Sequence, residues 1–136
     1  MLIEEKEINL IKNYLIEKVS PYLIVLFGSV VKGKARGNSD IDIAFLSDYK
    51  YKNYEIFMIA QGLADLLKRD VDLIDLNKAS TVLQAQVVST GKVIYCSDEN
   101  RRMLFEMTVL KKYVKLNEER KCIMGKIKER GSVYAK

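Results

Sequence analysis

The sequence of 136 residues contains no histidine and only two cysteines, Cys96 and Cys122, which are far apart and form no CxxC pair. Without histidine there is no Ser-His or Cys-His hydrolase chemistry. A zinc centre would need three or four nitrogen or sulfur ligands that the chain does not have. Two isolated cysteines fit a reducing compartment. No apolar run approaches the ~20 residues needed to span a bilayer. The opening MLIEEKEINL is acidic where a secretory signal would be basic, so the expected location is cytoplasmic, with no membrane partner. Runs of five or six like charges are also missing, which leaves no polybasic tail to suggest direct nucleic-acid binding.

Hydrophobic residues make up 49% and charged residues 30%, enough apolar material for one core and a balance unlike that of a disordered chain. Lys and Arg number 23 against 18 acidic residues, a net charge of +5 that suits solubility and also suits a phosphate-bearing or acidic ligand. The length fits one domain. The expectation is a single domain over 1–136, with 98–136 a helical C-terminal segment.

Apolar periodicity divides the chain. Ile8, Ile11, Leu15 and Val19 repeat at helical spacing over 3–19, with Glu4, Glu5 and Glu7 at the positive end of the helix dipole and Pro21 as the stop. Residues 22–27 (YLIVLF) are a continuous apolar strand, and 39–46 (SDIDIAFL) a second strand that starts with alternation. Between them, the segment with Gly33 and Gly37 reads as a turn or short helix. A helix follows over 53–68, with Ile56, Ile59, Leu63 and Leu66 or Leu67 on one face. Then come a strand at 71–76, a helix at 79–90 ended by Gly91, and a strand at 92–96. From Asp98 a long helix carries Met103, Met107, Leu110 and Val114 in one stripe. That stripe fails at 117–121 and resumes weakly at Ile123 and Ile127, before a frayed GSVYAK. Core packing is the expected use of the methionine face, and a partner surface is the alternative. This order of elements makes an α/β (α+β) domain around a small mixed sheet of about four strands flanked by helices.

Three local features together suggest chemistry. Gly28-Ser29 follows the first strand, Asp40-Ile41-Asp42 opens the second and Asp72 lies in the third. Side chains alternate along a strand, so Asp40 and Asp42 share one face while Ile41 and Ile43 point to the core. Two close carboxylates raise each other's pKa unless a cation lies between them, and Mg²⁺ favours one or two carboxylates with phosphates and water. A third carboxylate from Asp72 would allow two metals about 4 Å apart and a base for an attacking hydroxyl. Glycine lets main chain approach phosphate oxygens, and the N–H groups and hydroxyl at Ser29 can donate to them. Lys32, Lys34 and Arg36 lie nearby in sequence. Each feature also has a plain structural use: a turn at Gly28-Ser29, a capped solvated edge at Ser39-Asp40, an exposed Asp72 replaceable by Asp70 or Asp75, and a solvated basic loop.

Gly28-Ser29, ten residues, then Asp40-x-Asp42 resembles the GS-x10-DxD signature of the polymerase-beta-type nucleotidyltransferase superfamily. The string GSVVKGKARGNSDIDIAF, with Gly33 and Ser39-Asp40 in place, is similar to that of the minimal nucleotidyltransferases, or MNT proteins. Val71-Asp72-Leu73 matches the third carboxylate of that pattern, and the likeness spans roughly residues 5–115. Length and the region LQAQVVSTGKVIYCSDENRRMLFE resemble the MNT antitoxins paired with HEPN ribonuclease toxins. Lys32 departs from the pattern, standing where many relatives have Arg. The resemblance implies a polymerase-beta-type fold and Mg²⁺-dependent transfer of AMP from ATP to a tyrosine of a HEPN partner. It implies Asp40, Asp42 and Asp72 as metal ligands, Asp72 as base, and Gly28 and Ser29 at the phosphates. Two other outcomes stay open: a module that masks the toxin without chemistry, and a transferase acting on a small molecule.

Overall fold

The computed structural model describes residues 3–32 and 40–129. Nine elements follow one another: α1 (Glu5–Val19), β1 (Pro21–Phe27), α2 (Ser29–Lys32), β2 (Ile41–Ser47), α3 (Asn53–Leu67), β3 (Val71–Asp75), α4 (Thr81–Thr90), β4 (Lys92–Cys96) and α5 (Glu99–Glu129). Gly33, Lys34, Arg36, Gly37 and Ser39, and the tail 131–136, lie outside the described residues, as do the side chains of Lys32, Ile123 and Ile127.

The four strands form one mixed sheet in the order β3-β2-β1-β4. β1 runs antiparallel to β2 and to β4, whereas β2 and β3 are parallel and joined through α3. Parallel neighbours need such a crossover, which explains why the helix at 53–67 falls between these two strands.

Helices cover both faces of the sheet. On one face Ile11, Leu15 and Val19 of α1 and Ile56, Ala60, Leu63 and Leu67 of α3 pack on Ile24, Leu26, Ile41, Ile43 and Phe45. Leu67 faces the core and Leu66 is exposed. Gly62 is where the two helices meet: a Cβ there would lie 2.1 Å from the Tyr14 hydroxyl. On the other face Leu23, Val25, Phe27, Ala44 and Leu46 pack under Val87 of α4 and Phe105 of α5. Helix starts are fastened locally. Glu7 and Glu55 accept from the main-chain N–H of Glu4 and Lys52 at 3.2 and 3.0 Å, and the Ser80 hydroxyl accepts from Leu83 at 3.2 Å. The buried Ser47 hydroxyl donates to the Val19 carbonyl at 2.7 Å, tying the end of β2 to the end of α1.

The Met103–Val114 stripe corrects an expectation. Met103, Met107, Leu110 and Val114 are between 43% and 59% exposed, so they do not pack in the core. α5 lies on α4 and the sheet through Phe105 and Val109 instead. Arg101 accompanies that packing: its guanidinium pairs with Asp48 through both nitrogens and stacks 3.8 Å from the Tyr22 ring. No helix among the described residues is long and apolar enough to cross a membrane.

Candidate active site

The site lies at one end of the sheet, where β1 finishes and β2 and β3 begin. Antiparallel pairing sets Phe27 opposite Asp42, and parallel pairing sets Asp42 beside Asp72. Gly28, just past the end of β1, therefore lies against Asp42, and Asp42 lies beside Asp72, at the margin of the cluster that includes Phe27. The strand alternation that buries Ile41 and Ile43 turns Asp42 to this open end.

Gly28 has φ +77°, a left-handed conformation that side chains other than glycine's rarely adopt. A Cβ at that position would lie 2.2 Å from Asp42 Oδ2. Glycine is thus required twice: by the turn out of β1, and by a carboxylate that sits against the main chain. Ser29 follows as the first residue of the short helix α2, with its hydroxyl and N–H at the same end of the sheet.

Asp42 is half-buried, while Asp40 and Asp72 are exposed. Burial pushes the Asp42 carboxyl above its usual range, and the negative charges of Asp72 and then Asp40 push it further. Asp40 precedes β2, whose first N–H, from Ile41, donates to the Asp70 carbonyl at 2.9 Å. Of the two substitutes for Asp72, Asp70 lies outside β3. Asp75 lies three residues further along, beside Phe45 on the opposite face, where its carboxylate accepts from the Asn77 N–H at 3.0 Å. The structure thus brings Asp42 and Asp72 together, with Asp40 close enough to be felt electrostatically. As they stand, no three carboxylates among the described residues are gathered tightly enough to ring one ion.

The donor set consists of carboxylate oxygens under mutual repulsion, which is the chemistry of a hard divalent cation and not of zinc or copper. Residues that could contact an acceptor were missed in the sequence. Phe57 and Gln61 of α3 and Lys78 line a cavity of about 470 Å³ that also contains Asp72. The available signal was that α3 is apolar on more than one face: Tyr54, Phe57 and Met58 are exposed although Ile56 and Ala60 already form the core stripe.

Residues 9–100 match the family described as polymerase beta, nucleotidyltransferase. The chain is 42% identical over 105 residues to the protein adenylyltransferase MntA of Shewanella oneidensis, covering 77% of this chain and 75% of that one. A crystal structure of a toxin-antitoxin with AMP-PNP superposes with a TM-score of 0.80 at 39% identity, over 88% of this chain and 97% of the other. The MNT antitoxin in complex with the tri-AMPylated Shewanella oneidensis HEPN toxin superposes with a TM-score of 0.78 at 35% identity, over 92% and 98%.

Proposed function

The chain belongs to the polymerase beta nucleotidyltransferase family, and from that premise we propose that it is an antitoxin that transfers AMP from ATP to a tyrosine of a HEPN-type toxin. The row Gly28, Asp42 and Asp72 carries this reading, because it places a main-chain cradle and two carboxylates at one open sheet end. Residues 1–136 act as one nucleotidyltransferase domain in the cytoplasm, with α5 as its helical extension.

Each residue then has a defined task. The N–H groups and hydroxyl at Gly28 and Ser29 hold phosphate oxygens, since no Cβ stands in the way. Asp40 and Asp42, with Asp72, would hold Mg²⁺, which when bound supplies the positive charge that lets a triphosphate lie beside carboxylates. The tyrosine oxygen attacks the α-phosphorus, and a new O–P bond forms. The bond between the α-phosphorus and the bridging oxygen breaks, and pyrophosphate leaves with that electron pair. The tyrosine proton passes to the carboxylate of Asp72, the more exposed of the paired aspartates.

A masking role without chemistry draws support from the exposed Met103, Met107, Leu110 and Val114 face, which is suited to a partner. Label transfer from ATP radiolabelled on its α-phosphate, in a lysate of the source cell, separates the two. A labelled protein that depends on Asp40 and Asp42 is the expected result. Tight partner binding with no transfer, unchanged in Asp40→Asn/Asp42→Asn, would establish masking.

A further inference from the structure

Among the described residues β3 is the outer strand on the Asp72 side, with no strand paired to its other edge. In a parallel ladder, alternate residues turn their main-chain groups toward the partner strand and the others turn away. Ile41 N–H donates to the Asp70 carbonyl at 2.9 Å, and Leu76 N–H donates to the Phe45 carbonyl at 3.0 Å. Those two bonds put the even-numbered residues of the segment on the β2 side. The N–H and C=O of Val71 and Leu73 therefore point to the open edge.

A groove of about 470 Å³ runs along that edge between β3 and α3. Its rim carries Asn53, Phe57 and Gln61, and Lys78 lies at the far end, its ammonium donating to the Tyr51 carbonyl. Phe57, 57% exposed, is a large apolar ring that lines the same groove as Val71 and Leu73. Asp72 lines the same groove.

We propose that this edge is the acceptor subsite: an extended segment of the acceptor protein adds to β3 as a fifth strand, pairing with the main chain of Val71 and Leu73 beneath Phe57 and Gln61. The inference rests on the transferase reading and deepens it. Side chains directly opposite each other on neighbouring strands share a face, with Cβ atoms about 5 Å apart. An acceptor residue opposite Asp72 therefore extends the row Asp42–Asp72 by one place, which delivers its hydroxyl to the carboxylate assigned to take the proton. Its sequence neighbours face α3, where Phe57 and Gln61 wait. The five residues Val71–Asp75 match a segment of similar length, about 16 Å when extended. A nucleic acid fits less well, because Asp72 and Asp75 in the lining repel phosphodiesters while the free N–H and C=O groups match a peptide.

The test uses the acceptor identified by label transfer, purified and titrated at saturating ATP against wild type, Phe57→Ala, Gln61→Ala and Val71→Pro. The proline removes one outward N–H and leaves the β2 ladder intact. Each variant is expected to raise the KM for acceptor about tenfold, with kcat and ATP affinity within about twofold of wild type. Hydrogen exchange provides a second readout that does not depend on Val71→Pro folding. Adding acceptor to the full-length wild type should slow the amides of Val71 and Leu73, while the inward amides of Asp72 and Ile74, already in the ladder, change little. Unchanged KM in Phe57→Ala and Gln61→Ala, with no slowing at Val71 and Leu73, overturns the subsite while wild-type transfer leaves the enzyme reading intact. A wild type that labels nothing overturns both.

Discussion

The two faces of β2 differ at their first residues. On one face Ile41, Ile43 and Phe45 have no exposed surface and sit beneath α1 and α3. On the other, Ala44 and Leu46 are equally buried, but Asp42 stands ahead of them, half-covered and beside Asp72. The Ile41 face is given to the hydrophobic effect over its first three residues, before Ser47 ends it with a buried hydrogen bond. The other spends its first position on a carboxylate whose own environment disfavours its charge. The cluster under α4 and α5 takes in Val25, Phe27, Ala44 and Leu46, and Asp42, opposite Phe27, lies half-buried at its margin. Stability and chemistry are thus separated by about one strand position, and each can be disturbed without the other.

The sharpest way to test that separation is Asp72→Asn. Because Asp72 is exposed, the variant should keep its fold while AMP transfer falls about 10²–10⁴-fold, the range for loss of a general base. Transfer that survives, measured with α-labelled ATP, would remove Asp72 from the chemistry. Phe45→Ala is the converse: an apolar ring with no exposed surface is lost from the other face, costing about 3–5 kcal/mol in urea unfolding. An unchanged unfolding midpoint would show that this face is not the stabilising one.

Gly28→Ala strikes the boundary between the two. A φ of +77° disfavours alanine by about 1–2 kcal/mol, and the new methyl group would press on Asp42 Oδ2. Weaker ATP binding together with a modest loss of stability is expected, read by calorimetry and thermal melting. Retention of both would mean that the turn relaxes freely.

The smallest effect concerns Asp42→Asn. Folding raises the Asp42 pKa above its ordinary 3.8, so ionised Asp42 costs stability. That cost is absent below the unfolded value, grows as pH rises toward the raised one, and is constant above it. Asp42→Asn should therefore melt higher than wild type at neutral pH, with the gap closing as pH falls toward 3.8. Adding Mg²⁺ should raise the melting temperature of wild type alone, because only a species that binds the native state stabilises it. A variant that melts lower than wild type at neutral pH without Mg²⁺ would show that the carboxylate is satisfied within the protein.

Much of the fold was legible because each main element carries its own period. Ile11, Leu15 and Val19 recur at helical spacing and are all fully buried, and Leu23 to Phe27 are buried because β1 is a central strand with neighbours on both sides. The site was legible in its residue types, since a Gly-Ser after an apolar run and a DxD two-residue alternation both have direct steric meaning. The long helix was misread at one point. Met103, Met107, Leu110 and Val114 keep a helical repeat as regular as any core stripe, yet the core lies under Phe105 and Val109. Periodicity reports that a helix has an apolar face, and α5 has more than one. Which face is buried is set by packing on distant segments, as Phe105 packs with Leu23, Val25 and Leu46, and Arg101 reaches Tyr22 and Asp48 beside it.

By itself, then, the amino-acid sequence determined the order of helices and strands, the faces of α1 and β2, the residue types at the candidate site and the family resemblance. All of these depend on residues near one another along the chain. Only the tertiary structure decided that Asp72, and neither Asp70 nor Asp75, stands beside Asp42, that Gly28 closes against that same carboxylate, and that β3 presents a free edge to a groove. Those relations depend on the register between strands, which the pairing of β1, β2 and β3 in space sets and no local pattern in the sequence encodes.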